Sequence, residues 1–213
     1  MRCDRVVNYS LYLVTDRSLL GGKDLLTTVD AAIQGGATVI QMREKEASTR
    51  EFFNLAKAMR EMTKEHRIPF IINDRIDIAL AVNADGIHIG QSDMPLAVAR
   101  RLVGKDKIIG MSVNTLEQAL VAVKEGADYL GVGAVFSTST KKDAVDVSLA
   151  VLAELCRNVE IPVVAIGGIS ENNANQVLAA GVDGLAVVSA IIASSQPGAA
   201  AARFQSIISN TLC

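Results

Sequence analysis

The sequence predicts an α/β protein built as a single (β/α)₈ barrel, the TIM-barrel fold. Eight short β-rich runs alternate with amphipathic helical patterns along the 213 residues. The chain is 50% hydrophobic but only 4% aromatic, which is typical of parallel strands buried between helices. No linker or low-complexity segment interrupts the alternation, so residues 1–213 are expected to form one catalytic domain.

Each predicted strand is a short apolar run, and the helices between the strands have readable start signals. The helices Arg50–Glu65 and Leu116–Glu125 follow Ser48–Glu51 and Asn114–Glu117, two patterns typical of capping boxes. The predicted strands are Leu11–Val14, Thr38–Met42, Phe70–Ile72, Gly86–Ile89, Ile108–Met111, Tyr129–Val132, Val163–Ile166 and Gly184–Val188.

Glycines mark the points where helices end and strands begin. Gly35–Thr38, Gly126–Asp128 and Gly181–Asp183 repeat one pattern, and glycine permits the left-handed turn that closes a helix. A doubly wound sheet would instead need a G-x-G-x-x-G turn after its first strand, where this chain has Val14–Arg17. The nearest glycine match, Gly131–Phe136, comes late and lacks the third glycine.

Composition excludes several classes of partner. A formal net charge of -2 leaves no basic field for nucleic acid. Cys3, Cys156 and Cys213 form no pair with metal-ligand spacing and fit a reducing compartment. The amino terminus lacks the apolar run of a signal peptide, and polar residues interrupt every apolar stretch. We therefore expect a cytoplasmic protein that binds neither membranes nor nucleic acid, and association into a homo-oligomer is left open.

Polar residues concentrate after the predicted strands, at the end of the barrel where such folds place their active sites. The segments concerned are Gln41–Lys45, Asn73–Arg75, His88–Asp93, Ser112, Thr138–Lys142, Gly167–Ser170 and Val188–Ser189. Gly167 and Gly168, before a helix that Ser170 could cap, favour a phosphate site, because loops seven and eight commonly bind phosphate in this fold. The alternative is that the two glycines only turn the chain.

A second anionic site is predicted from Arg43, Lys45 and Lys141. Guanidinium and ammonium groups suit phosphate oxygens, although a solvated charged face is the commoner fate of such residues. Arg43 and Lys45 follow a buried strand at alternate positions and therefore share a direction, as does Gln41.

Asp74 and Asp93 are the candidate metal ligands. They end neighbouring strands, and Mg²⁺ is commonly held by one or two carboxylates together with substrate phosphates. Taken singly, each could instead cap a helix. His88 is interpreted as a hydrogen-bonded structural residue and His66 as a surface residue, since no second histidine lies near enough in sequence to make a zinc site.

Together these motifs resemble the thiamin phosphate synthases over nearly the whole chain, from Tyr12 to Ser189. Two positions depart from the family pattern: Met42 stands where Leu is usual, and Ser148 where Gly is usual. The motifs that carry the resemblance are Gln41–Lys45, Ile72–Arg75, Asp85–Asp93, Val135–Lys141 and Ala165–Ile169.

The resemblance implies a transferase that couples a pyrimidine diphosphate to a thiazole phosphate with Mg²⁺. Catalysis would rest on Arg43, Lys45, Lys141 and Ser112, and metal binding on Asp74 and Asp93. The pyrimidine diphosphate would contact Gln41, Arg43, Lys45, Asn73, Ser112 and Lys141, and the thiazole phosphate would contact Thr138, Thr140, Gly168, Val188 and Ser189. Met42, Glu44 and Ser139 would also bind substrate.

The implied chemistry needs no protein nucleophile. The electron-rich pyrimidine can stabilise a cation when diphosphate leaves, and the thiazole nitrogen then attacks. The loop Ser137–Val147, rich in polar residues, is expected to order over the substrates and exclude water. Two rivals stay open at this point: a thiazole tautomerase on the same barrel, and a phosphate sensor without catalytic activity.

Overall fold

A computed structural model of the chain describes residues 7–138 and 146–211. Eight strands form a closed barrel in sequence order, and every neighbouring pair is parallel. This confirms the predicted TIM barrel. The strands are β1 Leu11–Val14, β2 Val39–Met42, β3 Phe70–Asn73, β4 Gly86–Ile89, β5 Ile108–Val113, β6 Tyr129–Val132, β7 Val163–Ile166 and β8 Gly184–Val187.

The helices cover the outside of the barrel, and a 3-10 turn at Arg17–Leu19 follows β1. Among the helices of the described segments, none combines the length and apolar character needed to span a membrane. They are α1 Leu25–Gln34, α2 Thr49–Glu65, α3 Ile76–Ala81, α4 Leu96–Val103, α5 Leu116–Glu125, α6 Leu149–Asn158, α7 Ala174–Leu178, α8 Ser189–Ile192 and α9 Pro197–Thr211.

Side-chain caps start α2 and α5, with one change from the predicted pattern. Ser48 Oγ accepts a hydrogen bond from the Glu51 N–H at 3.3 Å, as expected. At α5 the predicted box, Asn114 with Glu117, is one residue too early. Thr115 is the cap and accepts from the Gln118 N–H at 3.2 Å, while Gln118 Oε1 accepts from the Asn114 N–H at 2.8 Å. The helix begins at Leu116, which makes Gln118 its third residue.

Apolar side chains form two separate cores. The larger lies between strands and helices and contains alternate strand residues such as Leu13, Ile40 and Met42. The smaller fills the barrel interior. Its members are Tyr9, Tyr12, Val14, Val39, Ile71, Tyr129, Val164 and Ala186. Because strand residues alternate between these cores, each strand has one face directed to the barrel axis and therefore to the mouth above it.

A repeated hydrogen bond closes the amino-terminal rim of the barrel and explains the repeats before the even-numbered strands. The residue just before each of these strands accepts from a backbone N–H at the start of the preceding odd-numbered strand. The pairs are Thr38 with Leu11 at 3.1 Å, Asp85 with Phe70 at 2.9 Å, Asp128 with Ile109 at 2.8 Å and Asp183 with Val163 at 2.8 Å. The predicted left-handed glycines precede three of them, with φ of 106° at Gly36, 93° at Gly126 and 91° at Gly181.

Asp85→Ala is expected to destabilise the fold by about 1–3 kcal/mol, the usual penalty for leaving buried polar groups without a partner. The Asp85 carboxylate accepts from the Phe70 N–H, from Arg60 Nη1 at 2.6 Å and from Arg60 Nη2 at 3.3 Å, so the change leaves three donors without this acceptor. Urea denaturation measures the loss. Asp106→Ala, at an exposed position before β5, is the control. Equal stability of the two variants would contradict a structural role for the rim.

Candidate active site

A cavity of about 330 Å³ opens at the carboxyl-terminal end of the barrel, and all eight strands or the loops after them contribute to its wall. This is where the polar segments of the sequence were expected to meet. The predicted site residues that line it are Gln41, Arg43, Lys45, Asn73, Asp74, Asp93, Ser112, Thr138, Gly168, Val188 and Ser189.

Two of the predicted site residues in the described part of the chain do not line the cavity. Met42 is fully buried in the outer core, and Glu44 pairs with Arg17 outside the barrel mouth. Both alternate with Gln41, Arg43 and Lys45, so their side chains point the other way. Ser139, Thr140 and Lys141 lie outside the described residues, as do most of the residues of the loop predicted to close over the site.

Two cations reach into the cavity from the end of β2. The Arg43 N–H donates to Thr15 Oγ1 at 3.1 Å, and its guanidinium Nη1 lies 3.8 Å from Asp16 Oδ2. The Lys45 ammonium contacts Asp74, while 53% of its side chain stays exposed. Both charges are therefore accessible to an anion entering the mouth.

Behind these cations, an ion pair joins the loop after β1 to the loop after β2. Arg17 Nε donates to Glu44 Oε2 at 2.8 Å, and Arg17 Nη1 donates to Glu51 Oε1 at 2.7 Å. Only 4% of the Glu44 side chain is exposed, and its Oε1 is buried without a hydrogen-bond donor from residues 7–138 or 146–211. Burial, opposed by Arg17, raises the pKa of Glu44. The Glu44 carboxylate thus depends on Arg17 for charge compensation.

Arg17→Ala is expected to destabilise the protein by up to about 3 kcal/mol, because it leaves a buried carboxylate without its counter-ion. The cost stays at the low end for such pairs since a third of the Arg17 side chain is exposed. Adding Glu44→Gln removes the stranded charge, so the double variant should be more stable than Arg17→Ala alone. Thermal and urea unfolding of both variants and of Glu44→Gln complete a double-mutant cycle. If the losses in free energy of unfolding of the two single variants add up to that of the double variant, Arg17 and Glu44 are not directly coupled.

Asp74 and Asp93 converge across the ends of β3 and β4. Asp74 has a left-handed backbone, with φ of 61°, and its N–H donates to the His88 carbonyl at 2.9 Å. Asp93 Oδ2 accepts from the Gly90 N–H at 2.7 Å. Burial raises the pKa of Asp93, and a hydrogen bond and like-charge repulsion from Asp74 raise it further. Two facing carboxylates of this kind fit a hard divalent cation such as Mg²⁺, although no group of three or more potential metal ligands occurs in the part of the chain that is described.

The glycine pair after β7 does more than turn the chain, and it lies farther from its helix than predicted. Gly167 and Gly168 have φ of 103° and 62°, and a Cβ on Gly168 would lie 2.7 Å from Phe136 Cβ. Glycine therefore lets loop seven pack against loop six.

The prediction that Ser170 caps the helix is wrong. Asn173 stands before α7, and its Oδ1 accepts from the Ser170 N–H at 2.8 Å, which holds an extra turn before the helix.

A chain of hydrogen bonds crosses the floor of the cavity. Gln41 Nε2 donates to the Tyr12 hydroxyl at 2.9 Å, and the hydroxyls of Tyr12 and Tyr129 are 2.6 Å apart. His88 lies 2.9 Å from Tyr129 through Nδ1 and 2.9 Å from Ser112 through Nε2. His88 is thus hydrogen-bonded as predicted, whereas the sequence did not single out Tyr12 and Tyr129 for the site.

Comparison with known proteins places this chain in a family. The profile of the thiamine monophosphate synthase family matches residues 11–191. The thiamine-phosphate synthase of Clostridium acetobutylicum is 56% identical over 190 residues, which are 89% of this chain and 90% of its own length. That of Ruminiclostridium cellulolyticum is 52% identical over 96% of this chain and 97% of its own.

A solved structure agrees with these sequence matches. The thiamine phosphate pyrophosphorylase from Pyrococcus furiosus superposes with a TM-score of 0.89 at 44% identity, covering 97% of this chain and 98% of its own. Fold and sequence therefore agree. The chain belongs to the thiamine monophosphate synthase family and is a transferase.

Proposed function

We propose that the chain condenses 4-amino-2-methyl-5-hydroxymethylpyrimidine diphosphate with 4-methyl-5-hydroxyethylthiazole phosphate, giving thiamin phosphate and diphosphate. One observation carries the proposal: Arg43 and Lys45 face the same cavity as the carboxylate pair Asp74 and Asp93. Cations beside a divalent-metal site are what a departing diphosphate requires.

The proposed mechanism is dissociative. The bond between the pyrimidine methylene and the diphosphate oxygen breaks first, and donation from the aminopyrimidine ring stabilises the cation that forms. The thiazole nitrogen then supplies the electron pair of the new C–N bond, so neither a protein nucleophile nor a general base takes part. Arg43, Lys45 and Lys141 hold the leaving diphosphate and stabilise its charge. Asp74 and Asp93 would hold Mg²⁺, which would supply further charge neutralisation at the leaving group.

The remaining site residues are assigned to the two substrates. Gln41, Asn73 and Ser112 bind the aminopyrimidine end of the first. Met42 and Glu44 support this segment from outside the cavity, since their side chains point away from it. We assign the thiazole phosphate to Thr138, Ser139, Thr140, Gly168, Val188 and Ser189, from the two loops that most often bind phosphate in this fold.

The function is tested with purified protein, both substrates and Mg²⁺, by quantifying thiamin phosphate and released diphosphate. We expect the two products in equal amounts. Omitting either substrate should abolish both products. Unchanged turnover after exhaustive chelation would remove the metal from the proposal. A tautomerase would convert a thiazole phosphate without releasing diphosphate, and a sensor would bind phosphate without turnover, so either rival gives a distinct result.

A further inference from the structure

The hydrogen-bond chain on the cavity floor begins at Gln41, and there the donor and the acceptor can be assigned. In Gln41 the nitrogen Nε2, which can only donate, faces the Tyr12 hydroxyl. Tyr12 is fully buried, and its hydroxyl is also bonded to that of Tyr129. If Tyr129 donated to Tyr12 as well, the Tyr12 proton would lose this acceptor, at the cost of a buried unsatisfied donor. Tyr12 therefore donates to Tyr129.

The same reasoning carries the direction along the chain. The Tyr129 oxygen accepts from Tyr12, so its own proton goes to His88 Nδ1. A nitrogen that accepts carries no proton, and the neutral imidazole then bears its proton on Nε2. Nε2 donates to Ser112 Oγ, which leaves the Ser112 proton for an acceptor in the cavity.

We propose that Tyr12, Tyr129 and His88 are positioning residues that act as a one-way hydrogen-bond relay: it fixes His88 as the neutral Nε2–H tautomer and Ser112 as a hydrogen-bond donor to the ligand. The tautomer follows from the relay alone. The identity of the acceptor rests on the proposed function, for which an unprotonated ring nitrogen of the aminopyrimidine is the fitting group.

Two features hold the relay in place. Burial raises the pKa of both tyrosines, so each hydroxyl keeps the proton that it donates in its hydrogen bond. Each ring lies against a glycine of another strand, Gly110 of β5 for Tyr129 and Gly131 of β6 for His88. A Cβ on Gly110 would lie 2.1 Å from Tyr129 Cζ, and one on Gly131 would lie 2.8 Å from His88 Cε1. The relay geometry is therefore a property of the barrel itself.

The relay is tested first by the nitrogen shifts of the histidine rings. The chain has two histidines, so His66→Gln leaves only the signals of His88. Long-range ¹H–¹⁵N spectra of ¹⁵N-histidine protein at about pH 8, where an ordinary imidazole is neutral, report which nitrogen is protonated. We expect a protonated Nε2 and an unprotonated Nδ1. A proton on Nδ1, an imidazolium or an even mixture of tautomers would overturn the proposal.

Tyr129→Phe tests the positioning role, because it keeps the ring and removes the donor to Nδ1. The histidine signals should then show both tautomers, and KM for the pyrimidine diphosphate should rise about tenfold, the scale of one hydrogen bond. KM for the thiazole phosphate should change less than about twofold, because that substrate is assigned to other loops. Tyr9→Phe is the matched control, since Tyr9 packs on Tyr129 with 4.8 Å between ring centroids and should leave the tautomer and both KM values unchanged.

The two measurements separate this inference from the proposed function. A wild-type protein that makes thiamin phosphate but carries its His88 proton on Nδ1 refutes the relay alone. A protein with the Nε2–H tautomer and no coupling activity refutes the proposed function and leaves the direction of the relay standing. Unaltered tautomer and KM values in Tyr129→Phe would remove Tyr129 as a positioning residue.

Discussion

Arg43→Ala is expected to lower kcat/KM for the pyrimidine diphosphate by about 10²–10³-fold, the loss usual for one preorganised group that stabilises transition-state charge. Its guanidinium faces the cavity from the end of β2, where the departing diphosphate is placed by the proposed function. Most of the effect should fall on kcat, because charge on the leaving group grows as its bond breaks. Steady-state kinetics with each substrate varied in turn measures how the loss is divided between kcat and KM.

Two further variants make this result specific. Arg43→Lys keeps the charge but loses the planar fork, so its activity should lie between wild type and Arg43→Ala. Arg203→Ala, which breaks an exposed ion pair between α9 and Glu171 in the loop after β7, should leave kcat/KM for the pyrimidine diphosphate unchanged. A loss below threefold in a folded Arg43→Ala protein would exclude Arg43 from leaving-group stabilisation.

The barrel could be predicted because its signals are local and repeated. Each observed strand begins and ends within two residues of its predicted bounds. The least accurate was β5, which runs two residues further to Val113, so that Ser112 lies within the strand instead of following it. The residue pattern does not fix such ends because backbone pairing with β6 decides them: Val113 pairs with Val132.

Alternation along a strand could also have removed two residues from the predicted site. Arg43 and Lys45 share a direction at alternate positions, and the same rule places Met42 and Glu44 on the opposite face. The resemblance nevertheless implies Met42 and Glu44 for the site, because it covers the segment as a whole. The alternation predicts which way each side chain points, whereas a motif match shows only that the residue belongs to the matching segment.

The relay illustrates what a single sequence conceals. Tyr12 and Tyr129 are 117 residues apart, and both look like ordinary core positions in a strand pattern. Their hydroxyls meet only because barrel closure brings β1 and β6 to one interior layer. The available signal was glycine within β5 and β6, at Gly110 and Gly131, because glycine inside a strand marks a close approach of another group.

The carboxylate pair should cause a pH dependence of folding stability in metal-free protein, which can be measured without any assay of turnover. Burial and Asp74 raise the pKa of Asp93, so over the range just above the ordinary aspartate pKa the folded state binds more protons than the unfolded state. Stability must then fall as pH rises through that range. Asp93→Asn removes the ionisable group, and its Oδ1 can still accept from the Gly90 N–H. The variant should therefore melt at the wild-type temperature or higher at neutral pH, with a smaller loss of stability across the range.

Asp74→Asn and Asp93→Asn are expected to raise the Mg²⁺ concentration needed for half-maximal turnover by about 10–100-fold, the scale of disturbing a metal site. Each change removes a negative charge that a hard cation prefers while keeping size and capping ability. Titration of activity with Mg²⁺ measures the shift, and KM for the thiazole phosphate should hardly change, since its assigned loops follow β6, β7 and β8. Asp77→Asn, on the neighbouring helix α3 and paired with Arg75, is the control that should keep the normal Mg²⁺ requirement. If Asp74→Asn and Asp93→Asn both melt early with an unchanged Mg²⁺ requirement, the two carboxylates serve only the fold. The diphosphate would then have to hold its metal without them, and the leaving-group site proposed for this barrel would be wrong.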